Sequence, residues 1–126
     1  MIESYLEDII LSLSESPHVE SFEVIKKKIT STDGYIRLKA KLTNNDLLEI
    51  SLYCQKMGTS VGIIDYRYHW QNEHGALKMR WDNCPHHKEI ENFPFHVHLS
   101  DQTVYPSEQV DIYKVLEIIE ENIKSA

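Results

Sequence analysis

The sequence predicts an α+β domain, in which an antiparallel meander sheet of about five strands carries an N-terminal and a C-terminal helix on one face. Apolar residues recur at helical spacing near both ends of the chain, and the middle alternates apolar and polar residues between short turn signals. Short turns join antiparallel strands, and one-sided helices and strands bury their apolar faces together. Because 126 residues suit one core, we expect residues 1–126 to form a single domain.

The elements follow in chain order from these patterns. A helix is expected at 4–14, where apolar residues share one stripe and Pro17 prevents continuation. Irregular chain is expected at 83–106, with a short strand at 95–99, and Ser107 is the expected N-cap of the last helix. The strands of the meander are predicted at 21–31, 35–43, 47–55, 61–72 and 76–82.

The formal net charge of −7 is unevenly distributed along the chain. Residues 1–20 hold five acidic and no basic residues, whereas residues 21–99 hold eleven basic and nine acidic ones. In the predicted fold the acidic helices cover one face of the sheet, so the other face can be cationic although the whole protein is acidic. That polar face is expected to carry Arg37, Lys39, Arg67, Lys78 and Arg80.

The chain shows no targeting or cofactor signal. It lacks a basic segment followed by an apolar run, and no apolar stretch approaches the roughly 18 residues of a membrane helix. We therefore expect a cytoplasmic protein that contacts no membrane and needs no cofactor. Cys54 and Cys84 are expected to be reduced thiols.

The hairpin between the fourth and fifth predicted strands can pair in two registers that match apolar to apolar residues. One register sets Arg67 opposite Arg80, and like charges directly opposite each other are unfavourable. The other uses a two-residue loop at 74–75 and sets Arg67 opposite Asp82. It also pairs His69 with Arg80 and Gln71 with Lys78. We predict this second register, since the glycine at 75 suits a tight primed turn.

The polar face of this hairpin carries residue types that suit phosphate chemistry. Arginine offers a planar fork to phosphate, and histidine exchanges protons near neutral pH. RNA cleavage without a metal needs a base for the 2′-hydroxyl, an acid for the leaving oxygen and cations for the developing charge. The alternative is a solvated cross-strand charge ladder that fixes the register. The group consists of Arg67, His69, Lys78, Arg80 and Asp82.

Four of the seven histidines follow within 13 residues: His86, His87, His96 and His98. In an extended chain His96 and His98 point to the same side, where they could chelate a metal or serve acid–base chemistry beside His69. No carboxylate or cysteine completes a recognised zinc spacing, so no metal is assigned.

The ordered motifs of this region resemble the TumE family, toxins of prokaryotic toxin–antitoxin pairs. The residues that carry the resemblance are Tyr68-His69-Trp70-Gln71, Arg80-Trp81-Asp82-Asn83, Pro85-His86-His87 and Phe93-Pro94 with His96 and His98. The resemblance implies a small cytosolic toxin that acts on RNA and is held inactive by a DNA-binding antitoxin encoded beside it. Position 84 departs from the family pattern, and so do Phe95 and Val97, where a histidine and a basic residue are expected.

The first hypothesis is therefore a metal-independent, ribonuclease-like toxin. Its candidate catalytic residues are His69, Asp82, His86, His87, His96 and His98, and its candidate phosphate-binding residues are Arg67, Lys78 and Arg80. One alternative is a non-catalytic module whose basic sheet face docks an acidic partner. Another is a metal-binding protein that uses His96, His98 and either His86 or His87. The sequence leaves the oligomeric state open, a dimer included.

Overall fold

A computed structural model describes residues 1–85 and 93–125 of the chain. The elements are α1 Ile2–Glu15, β1 Val19–Ile29, β2 Asp33–Leu42, β3 Leu47–Met57, β4 Ser60–Gln71, β5 Leu77–Asp82, β6 His96–Leu99, β7 Val104–Pro106 and α2 Ile112–Ser125. The strands form one sheet in chain order, and all neighbouring strands are antiparallel. None of the described helices is long and apolar enough to cross a membrane.

The predicted α+β meander is confirmed, but the sheet has seven strands rather than five. The short strand expected at 95–99 forms β6. The missed strand, β7, spans three residues and ends at Pro106, so it is too short to show an alternating pattern.

One face of the sheet and both helices share a single apolar core. Helix α1 buries Ile2, Leu6, Ile9 and Leu13, and α2 buries Ile112, Val115 and Ile119. They pack with the inward residues of β2 to β5, such as Ile36, Leu38, Tyr68 and Trp81. Each fully buried aliphatic side chain contributes roughly 1.5–3 kcal/mol. Because side chains alternate along a strand, the polar residues between these positions lie on the opposite face.

The expected N-cap of the last helix at Ser107 is wrong, because α2 begins five residues later at Ile112. The Oδ1 atom of Asp111 accepts the backbone N–H of Lys114 at 2.9 Å, which satisfies one of the unpaired donors at the helix start. Ser107 instead donates its hydroxyl to the Glu108 carbonyl.

The predicted register of the β4–β5 hairpin is confirmed over most of its length. Arg67 lies opposite Asp82, and His69 lies opposite Arg80. The predicted two-residue loop is wrong. The N–H of Asn72 bonds to the carbonyl of Ala76, so the loop has three residues, with Gly75 in the left-handed region at φ 89°.

This longer loop shifts the register at the end of the hairpin. Gln71 pairs with Leu77 rather than with Lys78, so Lys78 becomes the extra residue of a bulge. Bulges change the direction of a side chain. The Nζ atom of Lys78 bonds to buried Asp46 and lies 5.2 Å from the ring centre of Trp70, a core residue.

Candidate functional site

Two rows of cross-strand neighbours cross the polar face of the sheet. Paired residues on adjacent strands share a face, so each row brings distant parts of the sequence together. The first row runs from β2 to β6 through Arg37, Ser51, Arg67, Asp82 and His96. The second row consists of Lys39, Glu49, His69, Arg80 and His98.

The carboxylate of Asp82 lies at the centre of a group of charged and imidazole side chains on β5 and β6. Asp82 is buried at the end of β5, and its Oδ1 atom lies 2.8 Å from Nε2 of His96. Its Oδ2 atom lies 3.5 Å from Nε2 of His98 and 3.3 Å from Nε of Arg80. The Arg80 contact is an ion pair whose N–H is poorly aligned for a hydrogen bond. We call Arg80, Asp82, His96 and His98 the Asp82 cluster.

The backbone after Asp82 holds this carboxylate in place. The N–H of Cys84 donates to Oδ1 of Asp82 at 3.0 Å. Asn83 fastens the end of β5 to β4: its Oδ1 accepts the N–H of Tyr66, and its Nδ2 donates to the carbonyl of Ile64. No bonding role was predicted for Asn83, although asparagine side chains readily bond to nearby backbone groups.

The two histidines contact Asp82 through the same ring nitrogen but have different further partners. His96 is almost fully buried; its Nδ1 lies 2.9 Å from the carbonyl of Pro94, and its Nε2 faces Asp82. Both partners are oxygen atoms, so each ring nitrogen of His96 lies beside a hydrogen-bond acceptor. Nε2 of His98 lies 3.2 Å from Nη2 of Arg80, which can act as a donor alone. Nε2 of His98 therefore lies beside both the carboxylate of Asp82 and the guanidinium of Arg80.

A cavity of about 380 Å³ lies beside the cluster. Its lining includes His96, His98 and both arginines of the hairpin, Arg67 and Arg80. Arg67 is exposed, so its guanidinium is available to an anion in this cavity. The site thus combines the carboxylates of Asp65 and Asp82 with two imidazoles and two guanidinium groups.

His69 pairs with Arg80 across β4 and β5, but it does not line the cavity beside the Asp82 cluster. It lines a neighbouring cavity of about 210 Å³, together with Arg67. Its Nε2 atom lies 3.1 Å from Oε1 of Gln71. Burial lowers the pKa of His69, and the charges of Arg67 and Arg80 lower it further. His69 is therefore mainly neutral near pH 7.

The other predicted site residues divide into two groups. Lys78 does not join Arg67 and Arg80, because the bulge directs its ammonium group to Asp46. His86 and His87 lie outside the described residues.

Asp82, His96 and His98 also resemble a metal-ligand set. One ligand atom from each lies within 4.8 Å of the others. No carboxylate stands at a recognised zinc spacing in the sequence, because Asp82 joins the histidines through cross-strand pairing with β6. The guanidinium of Arg80 already contacts two of the three ligands, which places a cation beside the carboxylate.

Comparison with known proteins supports a family assignment. The model of one protein family, described as toxin TumE, matches residues 6–125, nearly the whole chain. No curated protein and no solved structure gives a significant match.

Proposed function

The chain belongs to the TumE toxin family, and from this we propose that it is a metal-independent ribonuclease whose active site is the Asp82 cluster. A toxin of this kind implies an antitoxin partner, and we propose a DNA-binding antitoxin and a cytoplasmic RNA substrate. One observation supports the catalytic part: a single carboxylate contacts two histidines beside two arginines.

The proposed reaction uses each of these groups. Arg67 and Arg80 bind the scissile phosphate through their planar forks. Arg80 turns from Nε2 of His98 to the phosphate, and His98 accepts the 2′-hydroxyl proton on that nitrogen as the 2′ oxygen bonds to phosphorus. The bond from phosphorus to the 5′ oxygen breaks, and that oxygen takes the Nε2 proton of His96. After this step His96 is neutral and His98 carries the added proton. The carboxylate of Asp82 contacts both rings, so it stabilises the positive charge on either one.

Growth inhibition tests this proposal directly. Induced expression of the parent protein should stop growth and fragment cellular RNA, whereas the His98→Ala variant should do neither. His74→Ala is the matched control, because His74 is a highly exposed histidine in the β4–β5 loop. Circular dichroism should show that His98→Ala remains folded. Unchanged growth inhibition by a folded His98→Ala variant would contradict the proposed role.

Purified protein separates cleavage from binding. The proposed mechanism predicts that the protein cleaves single-stranded RNA in excess EDTA and leaves 2′-deoxy oligonucleotides intact, because the 2′-hydroxyl is the nucleophile. Salt-sensitive binding of an acidic partner without any RNA turnover would favour the non-catalytic binding module instead.

Metal binding is the second candidate function, favoured by the close approach of Asp82, His96 and His98. It predicts about one equivalent of a bound divalent metal in protein purified without a histidine tag, and loss of that metal in His98→Ala. Metal-free protein that still cleaves RNA would exclude a metal requirement.

A further inference from the structure

A second cavity lies on the polar face where a small side chain stands between two long ones in the first row. Ser51 lies between Arg37 and Arg67, and it pairs with Arg37 on one side and Arg67 on the other. Because serine is small, it leaves a cavity of about 210 Å³ between two long cationic side chains. We call this cavity the Ser51 pocket; its lining includes Tyr35, Arg37, Glu49, Ser51, Arg67 and His69.

The Ser51 pocket has the charge and the donors of an anion site. Arg37 and Arg67 are both exposed, and adjacent strands lie about 4.8 Å apart, so their backbones are separated by about 10 Å across the pocket. Glu49 is the acidic residue of the lining among the described residues, and it lies opposite Lys39 and His69. The hydroxyl of Ser51 is 3.1 Å from the hydroxyl of Tyr35 and is a further polar group in the lining.

We propose that the Ser51 pocket is a second phosphate subsite, which binds single-stranded RNA one or two nucleotides away from the bond at the Asp82 cluster. This inference rests on the proposed ribonuclease function. Arg67 lines both cavities, so the two sites are continuous on the sheet face. The substrate strand crosses the β-strands from β6 towards β2.

An RNA strand fits these observations better than an acidic protein segment. Two anion sites about two strand positions apart match a polymer that carries one phosphate per nucleotide. Tyr35 adds an aromatic ring to the pocket lining, and aromatic rings on basic surfaces stack nucleic-acid bases.

The second subsite can be tested by comparing the binding of short and long oligonucleotides that the protein cannot cleave. Fluorescence anisotropy would measure the Kd of 2′-O-methyl uridine dimers and hexamers, which resist cleavage through the 2′-oxygen. Arg37→Ala should weaken hexamer binding about tenfold, near the lower end for one hydrogen bond to a charged group, and change dimer binding less than about twofold. Ser51→Val should also weaken hexamer binding, because it fills the pocket without changing the charge.

Lys41→Ala is the matched control. It removes one positive charge from the polar face of the same strand, and Lys41 pairs with Glu20 away from the pocket. Hexamer binding should change less than about twofold. Equal weakening by Lys41→Ala and Arg37→Ala would overturn the subsite and indicate diffuse attraction to the face. Polyglutamate binding that matches the hexamer in affinity and depends equally on Arg37 would overturn the assignment to RNA.

The outcomes separate this inference from the ribonuclease proposal. RNA cleavage by the parent protein, with no effect of Arg37→Ala on hexamer binding, would remove the subsite and leave the nuclease. If the hexamer binds more tightly than the dimer, this difference depends on Arg37, and the parent protein cleaves no RNA, then the RNA-binding subsite would be retained and the nuclease proposal rejected.

Discussion

The substitution Asp82→Asn tests how the cluster is held together, because it keeps the shape of the side chain and removes its charge. Oδ1 faces two groups that act as donors, the N–H of Cys84 and Nε2 of His96. Oδ2 faces the guanidinium of Arg80. The NH₂ group of an asparagine must replace either Oδ1 or Oδ2. In either orientation this donor would face another donor, the N–H of Cys84 or the guanidinium of Arg80.

The expected loss of stability is about 3 kcal/mol. Removing one partner of a buried ion pair costs roughly 3–5 kcal/mol, and we take the lower end because the Arg80 side chain is 28% exposed. For a domain of this size, about 3 kcal/mol lowers Tm by roughly 10 °C. Thermal and urea unfolding can be followed by the fluorescence of the two buried tryptophans, Trp70 and Trp81.

Asp65→Asn provides the control, since Asp65 lines the same cavity but is exposed. It should change stability by less than about 0.5 kcal/mol. If Asp82→Asn unfolds within about 2 °C of the parent protein, then Asp82 is not the charged centre of the cluster. Growth inhibition should be lost in Asp82→Asn even at temperatures where the variant is fully folded.

Three further predictions concern residues outside the cluster. Lys78→Ala should cost about 1 kcal/mol in urea unfolding, because its carboxylate partner is buried, yet it should keep the growth inhibition that Arg80→Ala loses; equal loss in both variants would place Lys78 in the site. The folded state depresses the pKa of His69, so its contribution to stability is present above about pH 6.5 and is lost as the pH falls towards the folded pKa; unfolding at pH 7.5 and pH 5.5 should show a smaller pH dependence in His69→Gln than in the parent protein. Asp111→Ala should cost about 1 kcal/mol as the loss of an N-cap, whereas Ser107→Ala should be nearly neutral, and the reverse order would restore the predicted cap.

The hairpin shows which parts of the fold could be predicted from the sequence. Alternating apolar residues and the opposite charges of Arg67 and Asp82 both select the observed register, because both act over the whole length of the strands. The loop depends on a smaller difference. Asn72 accepts the N–H groups of His74 and Ala76 through its side chain, and this local bonding favours three loop residues over two.

The one additional residue in this loop explains why the predicted phosphate-binding group differs from the observed one. The added residue produces a bulge at Lys78, and the bulge moves the lysine from the predicted phosphate group to a buried carboxylate. Asp82 and His96 illustrate the opposite difficulty. The sequence identified both as candidates but could not pair them, because the connection between β5 and β6 is too long to fix a register from turn chemistry.

The position of the cluster within the sheet explains how an acidic chain can bring arginines and histidines together at one site. Arg80 and Asp82 flank Trp81 on β5, and Trp81 is buried in the core on the opposite face. Since side chains alternate along a strand, the packing of this indole fixes the backbone from which both charged side chains project. Strands β4 and β6 pair with β5 on either side and bring Arg67, His96 and His98 to the same face. The net charge of −7 therefore has little bearing on the site, because its local charge is set by which residues the strand pairing brings together.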